Sequence, residues 1–341
     1  MDPLNFVNLI QSALAATGIL GGLLLWLTKT KEFKGIAFLL FTIALGSCIN
    51  ILEETGLTRE IYLISPVFIM LFGPMTYLAA KLLIDKELNK VQWWHLFPVI
   101  PLLFFTSYTY LVIGIGTVWR FAYAFLTITL LLKYKQTMDE ERSDSEDFSL
   151  NWLVWILAVT TMFNLIDLIR LNVQQIIPYE LNVLGQGINN AIWLVVVMII
   201  TIKLQSQQKI PKITEKPTAP DTIKHSTKND YSSLFEELDK LITLNQWFLK
   251  PRLTLNDLSV LTGLQTRDIS RAINVITEKS FNEYINNYRV NYVFTTIEKN
   301  TEKTLSDIAA DAGFSSKASF NKVFKEISGM TPTEYKCRKE V

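Results

Sequence analysis

Hydrophobic residues are spaced in two different ways along this chain. Between residues 4 and 204 they run almost unbroken. Seven apolar stretches, residues 4–27, 35–52, 61–83, 94–112, 117–132, 150–171 and 181–204, are joined by short polar connections, the shortest at residues 113–116. A bilayer core of about 30 Å takes roughly 20 residues of helix to cross, so these stretches predict a seven-helix transmembrane bundle. From residue 231 onward the apolar residues recur three and four apart instead, as on helices that bury one stripe and expose the rest. Between the two regions, residues 205–230 are rich in proline, lysine and polar side chains and read as a flexible tether. The pattern predicts an all-α chain with a transmembrane bundle over residues 1–204, a linker over 205–230 and a soluble helical domain over 231–341.

The soluble part contains one pattern twice. Thr304 gives a helix start, Leu305, Ile308 and Ala309 an apolar stripe, and Gly313 a sharp turn; a second helix then carries Phe320, Val323 and Phe324 on one face. Lys317, Ala318, Asn321 and Lys322 are left on the opposite face, which predicts a helix-turn-helix whose polar second helix is free to enter a DNA major groove. Thr254, Asp257, Leu258 and Gly263 repeat Thr304, Asp307, Ile308 and Gly313 at a spacing of 50. Past the turn the spacing becomes 51, with Ile269, Ile273, Ser280, Glu283 and Tyr284 matching Phe320, Phe324, Thr331, Glu334 and Tyr335. Each copy ends in a capping-box pattern, SFNEY or TPTEY. Ahead of both, Asp230 or a nearby serine should cap a helix carrying Leu234, Leu238, Leu241 and Ile242.

Residues 231–341 resemble the two-helix-turn-helix DNA-binding domain of AraC/XylS-type bacterial transcription regulators. The resemblance rests on Arg289, Val290, Ala309, Gly313, Phe314, Phe320, Phe324 and the GMTPTEY run at residues 329–335. It implies that residues 281–299 form a helix of about 28 Å joining the two units, so that both recognition helices address successive major grooves of double-stranded DNA about 34 Å apart. The base-facing residues it implies are Arg267, Ser270 and Arg271 in the first unit and Lys317, Ala318, Asn321 and Lys322 in the second. Arginine can bond guanine twice, asparagine can do the same with adenine, and alanine touches only a thymine methyl. Lysine serves equally for phosphate, and a solvated helix face is the alternative role for each residue. Three positions depart from the family pattern. Gln265 stands where a serine usually caps, leaving Thr266 as the alternative cap; Val293 replaces a small alanine; and Phe294 follows where a polar residue is common.

Composition adds one contrast. The chain of 341 residues is 49% hydrophobic with a formal net charge of +1, yet residues 209–341 carry 20 Lys/Arg against 17 Asp/Glu, a net of +3, and residues 1–208 carry 13 against 15. A surplus of +3 predicts weak nonspecific DNA binding, because that affinity comes from phosphate neutralisation; a homodimer or clustering at a membrane would compensate. Cys48 and Cys337 make no disulfide framework, and His95 and His225 are isolated. No zinc-ligand spacing, catalytic triad or phosphate-cradling loop appears. No catalytic residue, metal or cofactor is therefore predicted, and the chain does not read as an enzyme.

Charge also orients the bundle. With the C-terminal domain in the cytoplasm and seven spans, ten Lys/Arg, among them Lys31, Lys34, Lys86, Lys133 and Lys203, fall at inner ends; Arg59, Arg120 and Arg170 fall at outer ends. That distribution follows the positive-inside rule and predicts a multi-pass protein of the bacterial inner membrane with its N-terminus outside. Polar residues within the spans gather in the outer halves, where Asn164, Asp167 and Arg170 share a helix face and Gln186, Asn189 and Asn190 follow on the last span. Ionisable side chains at membrane depth usually face a bundle interior and mark function. Arg120, Asn164, Asp167, Arg170, Asn189 and Asn190 thus outline an outward-facing pocket for a small-molecule or peptide signal. The alternative is structural: Asp167 pairs with Arg170 or Arg120, and the asparagines knit helices together. The run DEERSDSED at residues 139–147 reads as a solvated acidic inner loop. Two other functions fit the same layout: a transporter or membrane enzyme with an autoregulatory DNA-binding domain, and a structural anchor tying DNA to the membrane.

Overall fold

Uninterrupted runs of Leu, Ile, Val and Ala satisfy their backbone groups most simply as helix, and the computed structural model is helical throughout its named elements. It describes residues 3–28, 30–59, 61–106, 108–173, 176–207, 211, 228–299 and 302–339. The chain divides into two units, residues 1–133 with 150–212, and residues 134–149 with 213–341. Most of the tether expected at residues 205–230 lies outside the described residues.

The first unit is built from α1 (Pro3–Leu27), α2 (Lys34–Glu54), α3 (Ser65–Asp85), the short α4 (Val99–Leu102), the first part of α5 (Thr109–Glu141), α6 (Asn151–Val173) and α7 (Tyr179–Ser206). Helix α1 packs on α2 and α7, α2 on α3, and α6 on α7. Small residues let the backbones approach: a Cβ at Gly18 would stand 3.0 Å from the Leu40 carbonyl, and one at Gly21 would stand 2.5 Å from Thr201 Oγ1. The start of α3 is satisfied from outside the helix, where the buried Glu53 carboxylate accepts from the Ile64 and Ser65 amides at 2.6 and 2.9 Å.

Six of the described helices are long and apolar enough to cross a membrane, against the seven stretches that hydropathy suggests. The difference lies in residues 90–132. No break occurs at residues 113–116; α5 continues through Gly114 and Gly116 as one helix of 33 residues. Residues 94–112 are instead divided among a 3-10 helix (Lys90–Leu96), α4 and the start of α5. Pro98 and Pro101 lack the amides that an α-helix would use there.

In the second unit α8 (Lys228–Leu244), α9 (Leu255–Thr262) and α10 (Thr266–Thr277) precede α11 (Phe281–Glu298), which is followed by α12 (Leu305–Asp311), α13 (Lys317–Ser328) and α14 (Pro332–Lys339). Helix α8 begins at Lys228, upstream of Asp230, which alongside a nearby serine was the cap expected for it. Two cores form, each beneath one helix-turn-helix. Leu238, Leu258, Ile269 and Ile273 belong to the first, and Ile308, Ala309, Phe320 and Phe324 to the second. Helix α11 serves both: Phe281, Tyr284 and Ile285 enter the first core, and Val290, Val293 and Ile297 the second. The departures at Val293 and Phe294 are absorbed there, since Val293 is fully buried and Phe294 packs edge-on to Phe324 and tilted against Tyr335, at 5.2 and 4.7 Å between ring centres.

Candidate functional site

Each turn of the second unit is fixed locally before its recognition helix is aimed. Thr254 Oγ1 accepts from the Asp257 amide at 3.1 Å while the Asp257 carboxylate accepts from the Thr254 amide at 2.8 Å, and Thr304 with Asp307 repeats the pair at 3.2 and 3.3 Å. Burial pushes the Asp257 carboxyl up, but hydrogen bonds from Lys250 and Thr254 outweigh it and hold the group below the ordinary carboxylate range. Ser280 with Glu283 and Thr331 with Glu334 form the capping boxes expected of α11 and α14.

The recognition helices begin differently. Ser316 Oγ caps α13 by accepting from the Ser319 amide at 3.1 Å. Gln265 occupies the N-cap of α10 with no side-chain bond to the backbone, and Thr266 is the first helical residue rather than the cap. On α13, Lys317, Ala318, Asn321 and Lys322 are all exposed; on α10, Arg267 and Arg271 are exposed. Ser270 differs from the outward position expected of it. It is 7% exposed, beside the buried Ile269, Ala272 and Ile273.

Arg289 is a buried hub on α11. It is 1% exposed, and its guanidinium donates to the carbonyls of Phe248 at 2.8 Å and Lys250 at 2.9 Å, to Asn286 Oδ1 at 3.3 Å, and to the Ser143 carbonyl and hydroxyl at 3.2 and 3.0 Å. Burial pulls its pKa down to about 10, against the opposing pull of Asp144. Tyr284 and Tyr288 both donate to Asp239, tying α11 to α8; burial, with Asp239 beside it, pushes the Tyr284 phenol up.

Ser143 belongs to the acidic run, which is not a solvated loop. Its amide donates to the Leu253 carbonyl at 3.0 Å, Arg142 forms an antiparallel bridge with Thr254, and Asn282 donates to the Arg142 carbonyl at 3.2 Å. Ser143, Asp144 and Ser145 are buried. Further along, Asp147 accepts from the hydroxyls of Ser315 and Ser316 at 2.6 and 2.7 Å, and Glu146 pairs with Lys322. These partners have no motif of their own. The signal available was six acidic residues opposite a domain of opposite net charge.

In the first unit a cavity of about 240 Å³ is lined by Arg120, Asp167, Arg170, Asn189 and Asn190, together with Gln186, Phe72 and Trp193. Asn164 lines a smaller neighbouring cavity that Arg120 also borders. Asp167 accepts from Arg170 at 2.8 Å, and Arg170 also donates to Asn182. Arg120 forms no ion pair among the described residues; its guanidinium lies over the rings of Phe72 and Trp193 at 5.4 and 5.2 Å. Asn189 Oδ1 and Asn190 Nδ2 are buried without hydrogen-bond partners among those residues. Glu54, not singled out by sequence, accepts from Gln11 at 3.3 Å and from Gln186. Among the described residues no three His, Cys, Asp or Glu side chains gather as a metal site requires.

Known proteins match the second unit. A family profile described as a helix-turn-helix domain matches residues 258–338. Regulatory protein SoxS of Salmonella typhimurium is 27% identical over 100 residues, which make up 28% of this chain and 92% of that protein. Uncharacterized HTH-type transcriptional regulators of Staphylococcus aureus strains COL and N315 are 31% identical over 84 residues, 25% of this chain. The match spans only 11% of the length of those staphylococcal relatives. No solved structure matches the chain. Residues 258–338 are thus a helix-turn-helix domain of AraC/XylS type, and DNA-binding transcription regulation is the function they support.

Proposed function

We propose that the chain is a membrane-embedded, signal-responsive transcription regulator whose second unit reads double-stranded DNA from the cytoplasmic side of the bacterial inner membrane. The observation that carries this reading is the union in one chain of six helices fit to cross a bilayer and a helix-turn-helix domain with Lys317, Ala318, Asn321 and Lys322 exposed. Arg267 and Arg271 are the base-reading candidates of the first unit. Ser270 supports its helix from the buried side. Asn321 offers the paired donor and acceptor that suit adenine, and the lysines suit phosphate or guanine.

The cavity is the proposed sensor. Asp167 is already bonded by Arg170, so Arg120 is the charged group left for a ligand. A guanidinium flanked by two aromatic faces keeps its planar edge for a forked bond to a carboxylate or similar anion, while Asn189 and Asn190 supply a free acceptor and donor. A small anionic ligand entering from outside fits this set. Its binding would alter how membrane domains pair, and so the local concentration of DNA-reading units. In a strain lacking the chromosomal copy, transcripts are compared for wild type, Arg120→Gln at equal abundance, and the deletion. We expect wild type to differ from the deletion, and Arg120→Gln to hold one transcript state across growth conditions that shift wild type. Coincident Arg120→Gln and wild-type profiles would sink the sensing role, and coincident wild-type and deletion profiles the regulator.

A further inference from the structure

The nine residues 139–147 hold six carboxylates and one arginine, a net of −5 against the +3 of residues 209–341. Where this stretch lies on the second unit, it takes up DNA-facing chemistry. Lys322, on the exposed face of α13, pairs with Glu146; the hydroxyls of Ser315 and Ser316, at the mouth of the turn, both donate to Asp147. Two hydroxyls and an ammonium group are also what a recognition helix offers a DNA phosphate. A lysine that neutralises a carboxylate cannot release the counterion of a phosphate as well.

We infer that residues 146–147 are an autoinhibitory contact, two carboxylates standing where DNA phosphate would bind, which must leave before the second helix-turn-helix engages a duplex. The contact separates into two parts. Arg142 and Ser143 anchor the loop through Leu253, Thr254, Asn282 and Arg289; Glu146 and Asp147 compete. Neutralising only the competing pair therefore leaves the anchor and the buried Arg289 satisfied. The weak nonspecific binding expected from the +3 surplus then gains a second cause, because the loop outweighs that surplus while it is docked. The loop also joins α5, which carries Arg120, to α6, which carries Asp167 and Arg170. If the cavity is the sensor, a ligand that shifts either helix moves the ends of this loop. The competition itself does not depend on that reading.

The test uses the full chain in lipid nanodiscs and a labelled random-sequence duplex of about 40 base pairs, long enough for two successive major grooves. At low salt the Glu146→Gln/Asp147→Asn variant should bind about tenfold more tightly than wild type, and the gap should narrow as salt rises. Affinity equal to or below that of wild type overturns the inference. A second measurement does not rest on that variant's folding. With Cys48 and Cys337 replaced by serine, Asp147→Cys and Ser316→Cys should be oxidised to a disulfide in the free chain by added oxidised glutathione, which leaves as two equivalents of reduced glutathione, and saturating duplex should slow the joining about tenfold. Failure to join, or a rate that duplex leaves unchanged, contradicts the docked and competing loop.

Discussion

Gly313 shows how much one residue settles. Its φ of +84° is left-handed, and a Cβ there would fall 2.5 Å from the Leu249 carbonyl oxygen. Its counterpart in the first unit, Gly263, has φ +73° but nothing within 4 Å. The two glycines look alike in sequence but differ in what they meet. Gly263→Ala should therefore cost only the left-handed strain, about 1 kcal/mol, whereas Gly313→Ala adds a clash with backbone and should cost about 3 kcal/mol. Hydrogen exchange at the α9–α10 and α12–α13 amides of the full chain reads both numbers; equal losses would mean that the turn of the second unit is as open as that of the first. Ser270 teaches the opposite lesson. It sits three residues before Ile273, at the edge of the buried stripe, and its short side chain is covered there, while Asn321 at the matching place in α13 stands exposed. Periodicity assigns a face to each position, but side-chain length decides the positions at its margin.

Helices were legible wherever a cap, a stripe and a stop agreed, as in α9, α11 and α12. Gln265 shows a helix starting without its cap, held by the packing of Ile269 and Ile273 instead. Hydropathy misleads between α3 and α5, because a window of apolar residues carries no record of how the backbone bonds. Six crossings would leave both ends of the chain on one side, which conflicts with the lysines flanking α1, α3 and α5. A crossing between α3 and α5 would remove the conflict. Outside the helices of residues 89–108, the backbone bonds run i to i+3, including Phe97 to Trp94, Ile100 to Phe97, Leu103 to Ile100 and Phe104 to Pro101. Lys90–Leu96 forms a 3-10 helix and Val99–Leu102 a short α-helix, and Val91, Trp94, Phe97, Ile100 and Phe104 are exposed as lipid-facing side chains would be. A crossing requires backbone bonded within its own segment. Alkaline phosphatase fusions should accordingly be inactive after Glu87 and active after Tyr108; the same outcome at both positions would remove the seventh crossing and reopen the orientation.

At the scale of the whole molecule, the chain combines six helices long and apolar enough to cross a membrane with a helix-turn-helix domain. The duplicated pattern made that domain legible, because the same spacing occurs twice. The docking of residues 142–148 was not legible, since charge in a loop reads as solvated unless its partner is known. The cavity was partly legible: the polar residues of α6 and α7 were found by their depth, and Asp167 pairs with Arg170, one of the two partners expected for it, but the placing of Arg120 over Phe72 and Trp193 is a matter of geometry. The most direct test of the account is a genome-wide map of DNA crosslinked to the full chain and recovered with the membrane fraction. Reproducible sites carrying two half-sites about 10 base pairs apart, lost in an Asn321→Ala/Lys322→Ala variant, are the predicted result; flat recovery across the genome, or bound DNA absent from the membrane fraction, would contradict it.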